Sequence, residues 1–179
     1  MYKLAHRILK NLNPELAHNL SIKALKMGLY PKIRIQNTEI LEQTIWGRRF
    51  QTPIGLSAGF DKNAEVIKPI LNLGFSFTEL GTVTPMPQLG NPKPRIHRFY
   101  NEKAIINSLG FNNAGAVVAL KNIEKNKPSF KGVLGVSIGK GKEINNDRNR
   151  SAEEEVLGGY RRSGWYPGHC SCMDAEHPD

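Results

Sequence analysis

In residues 3–12, Leu4, Ala5, Ile8, Leu9 and Leu12 recur at helical spacing, while Lys3, His6, Arg7 and Lys10 fill the opposite side. That pattern predicts a short, basic, amphipathic helix. Asn13, Pro14 and Glu15 then supply an N-cap, a first-turn proline and an acid well placed against the helix dipole. They open a second helix, running through Leu16, Ala17, Leu20, Ala24 and Met27 to a stop at Gly28.

After Pro31 the apolar runs shorten. "TIWGRRFQ" (44–51) reads as a hairpin turned at Gly47, and "PIGLSAGF" (53–60) as a buried strand. Residues 64–73 return to helical spacing through Val66, Ile67, Ile70, Leu71 and Leu73 and end at Gly74, with Pro69 as an imperfection. "FSFTELGTVTP" (75–85) reads as a strand, "GAVVALKNIEKN" (115–126) as a helix and "GVLGVSIGKGK" (132–142) as a strand, with an insertion between the first two.

Strands alternating with helices predict a parallel sheet buried on both faces in an α/β fold. Ligands of such folds lie at the C-terminal ends of the strands. Three strand exits, "SAGFDK" (57–62), "GTVTP" (81–85) and "SIGKGK" (137–142), combine small residues with hydroxyl or cationic groups. Together they predict one rim suited to a flat, anionic ligand.

Composition narrows the class. The chain of 179 residues is 39% hydrophobic and 23% charged, ordinary for a globular protein. No apolar run approaches the roughly 18 residues a bilayer span requires, and no secretory signal pattern opens the chain. The net charge of +9 suits an anionic partner such as lipid headgroups, nucleic acid or a phosphorylated ligand. It is unevenly spread. Residues 1–34 hold seven Lys/Arg against Glu15 alone, whereas residues 149–179 hold three Arg against six acids. The basic helices suit either an anionic membrane surface or packing on the body with the lysines solvated. Cys170 and Cys172, with His169 and His177 nearby, lie in the acidic stretch, but Cys-x-Cys lacks the spacing of a structural zinc site. No metal site is assigned, and 149–179 reads as an irregular tail.

Among residues that carry chemistry, Lys62 offers a cation to a carboxylate, a phosphate or an electron-rich ring, or else pairs with neighbouring Asp61. Ser57, Ala58 and Gly59, and then Gly81 and Thr82, allow a planar group to approach the backbone or simply make tight turns. "NSLGFNNAG" (107–115) sets Asn107, Asn112 and Asn113 around Gly110 and Phe111, matching the amide edges of a pyrimidine or flavin ring, or a turn followed by an N-cap at Asn113. "GVSIGKGK" (135–142) fails as a phosphate loop: Gly135 and Gly139 enclose three residues and Lys140 precedes Gly141.

The words "NPELAH", "PIGLSAGFDKNAE", "GFSFTELGTVTPMPQLGNPKPRIHR", "AIINSLGFNNAG" and "GVLGVSIGK", in that order over roughly residues 1–142, resemble the class 2, quinone-linked dihydroorotate dehydrogenases of pyrimidine biosynthesis. The resemblance implies a (β/α)8 barrel holding FMN at its C-terminal mouth, of which this chain carries the first three or so βα units. These follow a two-helix segment that rests on the membrane and admits ubiquinone. It divides the chain into the helix pair (1–34), the N-terminal part of the FMN-binding barrel (35–148) and the unmatched tail (149–179). Ala58, Gly59, Lys62, Gly81, Thr82 and Ser137 would hold FMN. Lys62, Asn107, Ser108, Leu109, Gly110 and Phe111 would meet dihydroorotate, and His18 and Arg98 would face the quinone.

The activity implied is oxidation of dihydroorotate to orotate with electrons passed to ubiquinone. The setting implied is a monomer peripheral to the cytoplasmic face of the cell membrane, with no nucleic-acid partner. Two departures stand out: Ser137 and Gly141 occupy positions that are usually asparagine in the family, and no segment matches its catalytic-base strand, so no catalytic base is assigned. The alternatives are an inactive membrane-associating or flavin-binding fragment and another flavin-dependent barrel oxidoreductase. An open partial barrel is also expected to expose strand edges and to aggregate.

Overall fold

A computed structural model describes residues 2–33, 38–126 and 132–142. The tail at 149–179, with its cysteines, lies outside the described residues. The chain opens with helices α1 (Tyr2–Asn11) and α2 (Pro14–Lys26). The Asn13 side chain accepts from the amides of Glu15 and Leu16, which would otherwise lack partners at the start of α2. Gly28, at φ +76°, ends the helix as expected.

Strands β1 (Gln43–Ile45) and β2 (Arg48–Phe50) form the expected antiparallel hairpin, with Trp46 and Gly47 both at positive φ in its two-residue turn. The remaining elements are β3 (Gly55–Leu56), α3 (Ile67–Asn72), β4 (Phe77–Val83), β5 (Ile96–Phe99), β6 (Ala104–Asn107), α4 (Ala116–Asn126) and β7 (Val133–Ile138). β3, β4 and β7 make a parallel sheet in that order, in register from Gly55↔Phe77 and Phe77↔Val133.

Two elements are shorter than their patterns predict. The strand expected over 53–60 pairs only at Gly55 and Leu56, because beyond Leu56 the backbone turns and bonds singly: the Gly59 amide donates to the Gly81 carbonyl at 2.7 Å and the Gly81 amide to the Asp61 carbonyl at 3.2 Å. The helix expected over 64–73 begins at Ile67, since the Asp61 carboxylate takes the Glu65 and Val66 amides first. Pro69 thereby falls in the first turn, where its missing N–H is no loss. The insertion contains the antiparallel hairpin β5–β6, which had no signature because β6 is exposed at all four positions and shows no alternation.

The sheet is covered by helices on one face rather than both. Ile67 of α3, Ile123 of α4, Leu80 of β4 and Leu134 of β7 form the main core. α2 joins it through Leu25, which packs with Val66 and Ile70, and through a 2.5 Å Lys26–Glu65 ion pair. On the opposite face, Phe50 stands edge-on to Phe77, with centroids 5.5 Å apart, near the strand starts. Towards the strand ends that face opens into a hollow.

Candidate functional site

The three strand exits do share one rim, because the backbone continues to lace them after the ladder ends. Besides the bonds from 59 and 81, the Gly139 amide donates to the Val83 carbonyl at 2.9 Å. The hollow at this rim measures about 260 Å³. Ser57 and Ala58 line it from the first exit, Glu79 and Thr82 from the second, Ser137, Ile138 and Gly139 from the third, and Phe111 from the segment before α4.

Its polar groups are few and placed together. The Thr82 and Ser137 hydroxyls lie 3.0 Å apart, so one donates to the other and one O–H remains to serve a ligand. The Glu79 carboxylate accepts from the Ala58 amide at 3.4 Å. Gly139 is required here, since a Cβ on it would stand 2.5 Å from the Thr82 methyl.

Of the predicted residues, Ala58, Thr82, Ser137 and Phe111 therefore meet around one space, with Gly59 and Gly81 in the backbone that frames it. Lys62 and Asn107 are not among its lining residues. Lys62 does not pair with Asp61, whose two oxygens are taken by the Glu65 and Val66 amides; its ammonium donates instead to the Gly59 carbonyl at 2.5 Å. Burial, and then the Arg95 charge, hold the Lys62 ammonium below its ordinary pKa, against the opposing pull of Glu15 and Asp61.

Asn107 is exposed at the end of β6, accepting from the Leu109 amide at 3.4 Å. Ser108 and Leu109 are held to the 89–95 loop, the Ser108 amide donating to the Arg95 carbonyl and the Leu109 carbonyl accepting from the Asn91 amide. Gly110, at φ +69°, accepts from the Gln88 side chain. Asn113 lies two residues before the N-cap position: it accepts from the Gly115 and Thr84 amides and donates to the Thr84 hydroxyl, clamping the second exit to the start of α4. Glu79 was missed because one acid inside an apolar strand carries no motif. Its alternation with Leu80 places it on the face away from the helices, and that was the available signal.

The two predicted quinone-side residues stand apart from this hollow. His18 of α2 meets the Phe60 ring edge-on, with centroids 5.2 Å apart. Arg98 of β5 donates to the carbonyls of Leu9, Lys10 and Leu12 and so caps the C-terminal end of α1. Beside it Lys10 lies 4.6 Å from the centroid of the Tyr100 ring. An open recess of about 360 Å³ between the α1–α2 elbow and β5 is lined by Leu12, Pro14, Arg98 and Tyr100 among others.

Burial first, and then the Lys62 charge, hold the His18 imidazole below its ordinary value of 6.5. The folded state therefore favours neutral His18 more than the unfolded chain does, and its contribution to stability is lost as pH falls below that value. Glu15 is held below its ordinary value of 4.5 because bonds from Lys93 and Arg95 outweigh its burial, so its contribution fades only in more acid solution. Lowering the pH from 7.5 to about 5.5 is thus expected to reduce the thermal midpoint, and His18→Phe is expected to flatten that dependence.

Parallel strands backed by helices, with a hollow at their C-terminal rim, define a ligand-binding α/β protein. Residues 40–157 match the family model for dihydroorotate dehydrogenase. The chain belongs to the dihydroorotate dehydrogenase family, and to its class 2 branch. It is 47% identical over 141 residues to the dihydroorotate dehydrogenase (quinone) of Rhodospirillum rubrum, covering 79% of this chain and 38% of that protein. The enzyme of the same name from Azorhizobium caulinodans is 42% identical over 160 residues, covering 89% and 44%. Among solved structures, a ligand-free DHODH from Eimeria tenella matches with a TM-score of 0.75 and 41% identity, over 84% of this chain and 43% of that one. The same protein in complex with ferulenol matches at 0.74 and 40%, over 90% and 44%. The chain thus spans about two fifths of the length of the relatives it matches.

Proposed function

We propose that this chain carries the flavin-facing and quinone-facing parts of a dihydroorotate dehydrogenase that oxidises dihydroorotate with FMN and passes the electrons to a quinone. The observation that carries the reading is the hollow at the laced rim, where Ala58, Thr82, Ser137 and Phe111 converge as the resemblance implies. Its volume of about 260 Å³ lies just below the range of whole small-molecule sites, which run from about 300 Å³ upwards, so it suits the ring of a flavin rather than a whole nucleotide. The chemistry fits as well. The free O–H of the Thr82–Ser137 pair donates to a ring carbonyl, the Glu79 carboxylate accepts from a ring N–H, and Gly139 leaves room for a flat edge.

When bound, FMN would supply a two-electron acceptor. The chain's own part is to hold that ring at the rim, with the Phe111 ring closing one side. Lys62, a half-buried cation near the same rim, would meet the substrate carboxylate. His18, against Phe60, would stand on the quinone side. Binding is tested by titrating FMN and following the quenching of its fluorescence: Gly139→Ala is expected to weaken it at least about tenfold, because the new methyl presses on Thr82 in the hollow. Unchanged quenching in that variant would place FMN elsewhere. Turnover is tested by dye reduction with dihydroorotate; flavin bound without turnover would assign the flavin-binding fragment instead.

The two basic helices are proposed to rest on the cytoplasmic face of the cell membrane. Leu16 and Leu20 of α2 and Met27 just after its last turn fall on one stripe and remain 48%, 41% and 72% exposed, with Ile8 of α1 54% exposed, so an apolar face is available beside the lysines. Among the described residues no helix is long and apolar enough to cross a membrane. Co-sedimentation with vesicles containing anionic lipid is the measurement, and Leu20→Glu with Met27→Glu is expected to abolish it.

A further inference from the structure

We propose that Arg95 is a positioning residue that couples the seating of α2 to the order of segment 107–110, so that the helix bearing His18 and the segment bearing Asn107 are held or released together. Arg95 is only 7% exposed, yet its guanidinium works in two directions. Nε donates to Glu15 Oε1, in the first turn of α2, at 2.5 Å. Nη1 donates to the carbonyls of Leu89, Asn91 and Leu109 at 2.8, 2.9 and 3.4 Å. Its own carbonyl accepts from the Ser108 amide at 2.9 Å, and the Leu109 carbonyl also accepts from the Asn91 amide at 3.1 Å. Lys93, from the same loop, takes the other Glu15 oxygen at 2.7 Å.

A buried guanidinium whose carboxylate loses its charge is left uncompensated, which favours its movement toward water and away from the carbonyls that now surround it. The bonds of such a network stand or fall together. The room for it is built in: Gly90, at φ +78°, approaches so closely that a Cβ there would lie 2.7 Å from Arg95 Nη1. Among the described residues no hydrogen bond joins Glu15 to Ser108, whereas Arg95 bonds both, so it is the most direct link between them.

The test is amide hydrogen exchange on the full 179-residue chain without ligand, so its outcome is independent of the flavin and quinone reading. Glu15→Gln removes the charge from α2 while keeping the side chain's size. The expected result is exchange at least about tenfold faster at Ser108 and Asn91 as well as along α2, with the Arg95 Nε–H resonance displaced. Lys93→Met removes the other cation, which among the described residues bonds only Glu15, and is expected to speed exchange in α2 while leaving Ser108 and Asn91 unchanged. Should Glu15→Gln fail to fold, Glu15→Asp, shorter by one methylene, reports on the same amides. Faster exchange in α2 with Ser108 and Asn91 at wild-type rates in either Glu15 variant overturns the proposal.

Discussion

Gly81→Ala is expected to destabilise the fold by about 3 kcal/mol or more, through overpacking added to an unfavourable backbone conformation. Gly81 sits near the end of β4 at φ +105°, where an L side chain is strained before any neighbour is considered. A Cβ there would also press on the Ser137 carbonyl oxygen and lie 2.8 Å from the Val83 nitrogen. Both are backbone atoms of the sheet, so neither can rotate away. Gly59→Ala separates the two causes, because Gly59 shares the positive φ, at +109°, but has open space around its would-be Cβ. It is expected to cost about 1–2 kcal/mol, from conformational strain alone. Urea denaturation of both variants is the measurement. Equal losses would mean that the clash with Ser137 contributes nothing and that the rim yields more than its bonding suggests.

Asp61→Ala is expected to cost about 3 kcal/mol, since two amides lose their acceptor inside the protein. Asp61 is 2% exposed, and its two oxygens take the Glu65 and Val66 amides at 2.7 and 2.8 Å. Val66, at the start of α3, is itself fully buried and has no other side-chain cap. Burial pushes the Asp61 carboxyl above its ordinary value of 3.8, against the pull of those same amides. A raised carboxyl pKa means that the folded state binds the proton more tightly than the unfolded chain, so titration of Asp61 opposes acid unfolding rather than driving it. Asp61→Asn loses one acceptor but also sheds the cost of a buried charge, and should fall between alanine and the wild type in denaturant midpoint. An alanine variant as stable as the wild type would show that water satisfies both amides.

Much of the local structure was legible because a few adjacent residues decide it. Asn13 ahead of Pro14 and Glu15 caps a helix through its own side chain, and Trp46-Gly47 makes a two-residue turn from its own dihedral angles. The alternation of apolar runs predicted that β3, β4 and β7 run parallel, and with it the end of the sheet at which Ala58, Thr82 and Ser137 emerge. The β5–β6 hairpin was not legible, because Ile105 and Ile106 are both exposed and no period marks the strand. Nor was the fate of the acid beside Lys62: charge and adjacency suggested a pair, whereas buried amides have a stronger claim on Asp61 than an ammonium that can reach a carbonyl instead.

By itself, then, the chain's order of residues determined its caps, its turns, its strand–helix rhythm and a rim made of three glycine-bearing exits. Only the tertiary structure decided that Glu79 lines the hollow, that Arg98 closes the end of α1, and that Arg95 reaches Glu15 across 80 positions of chain. The division is physical: dihedral preferences act over a few residues, but the partner of a buried charge is whichever group the folded chain carries to it.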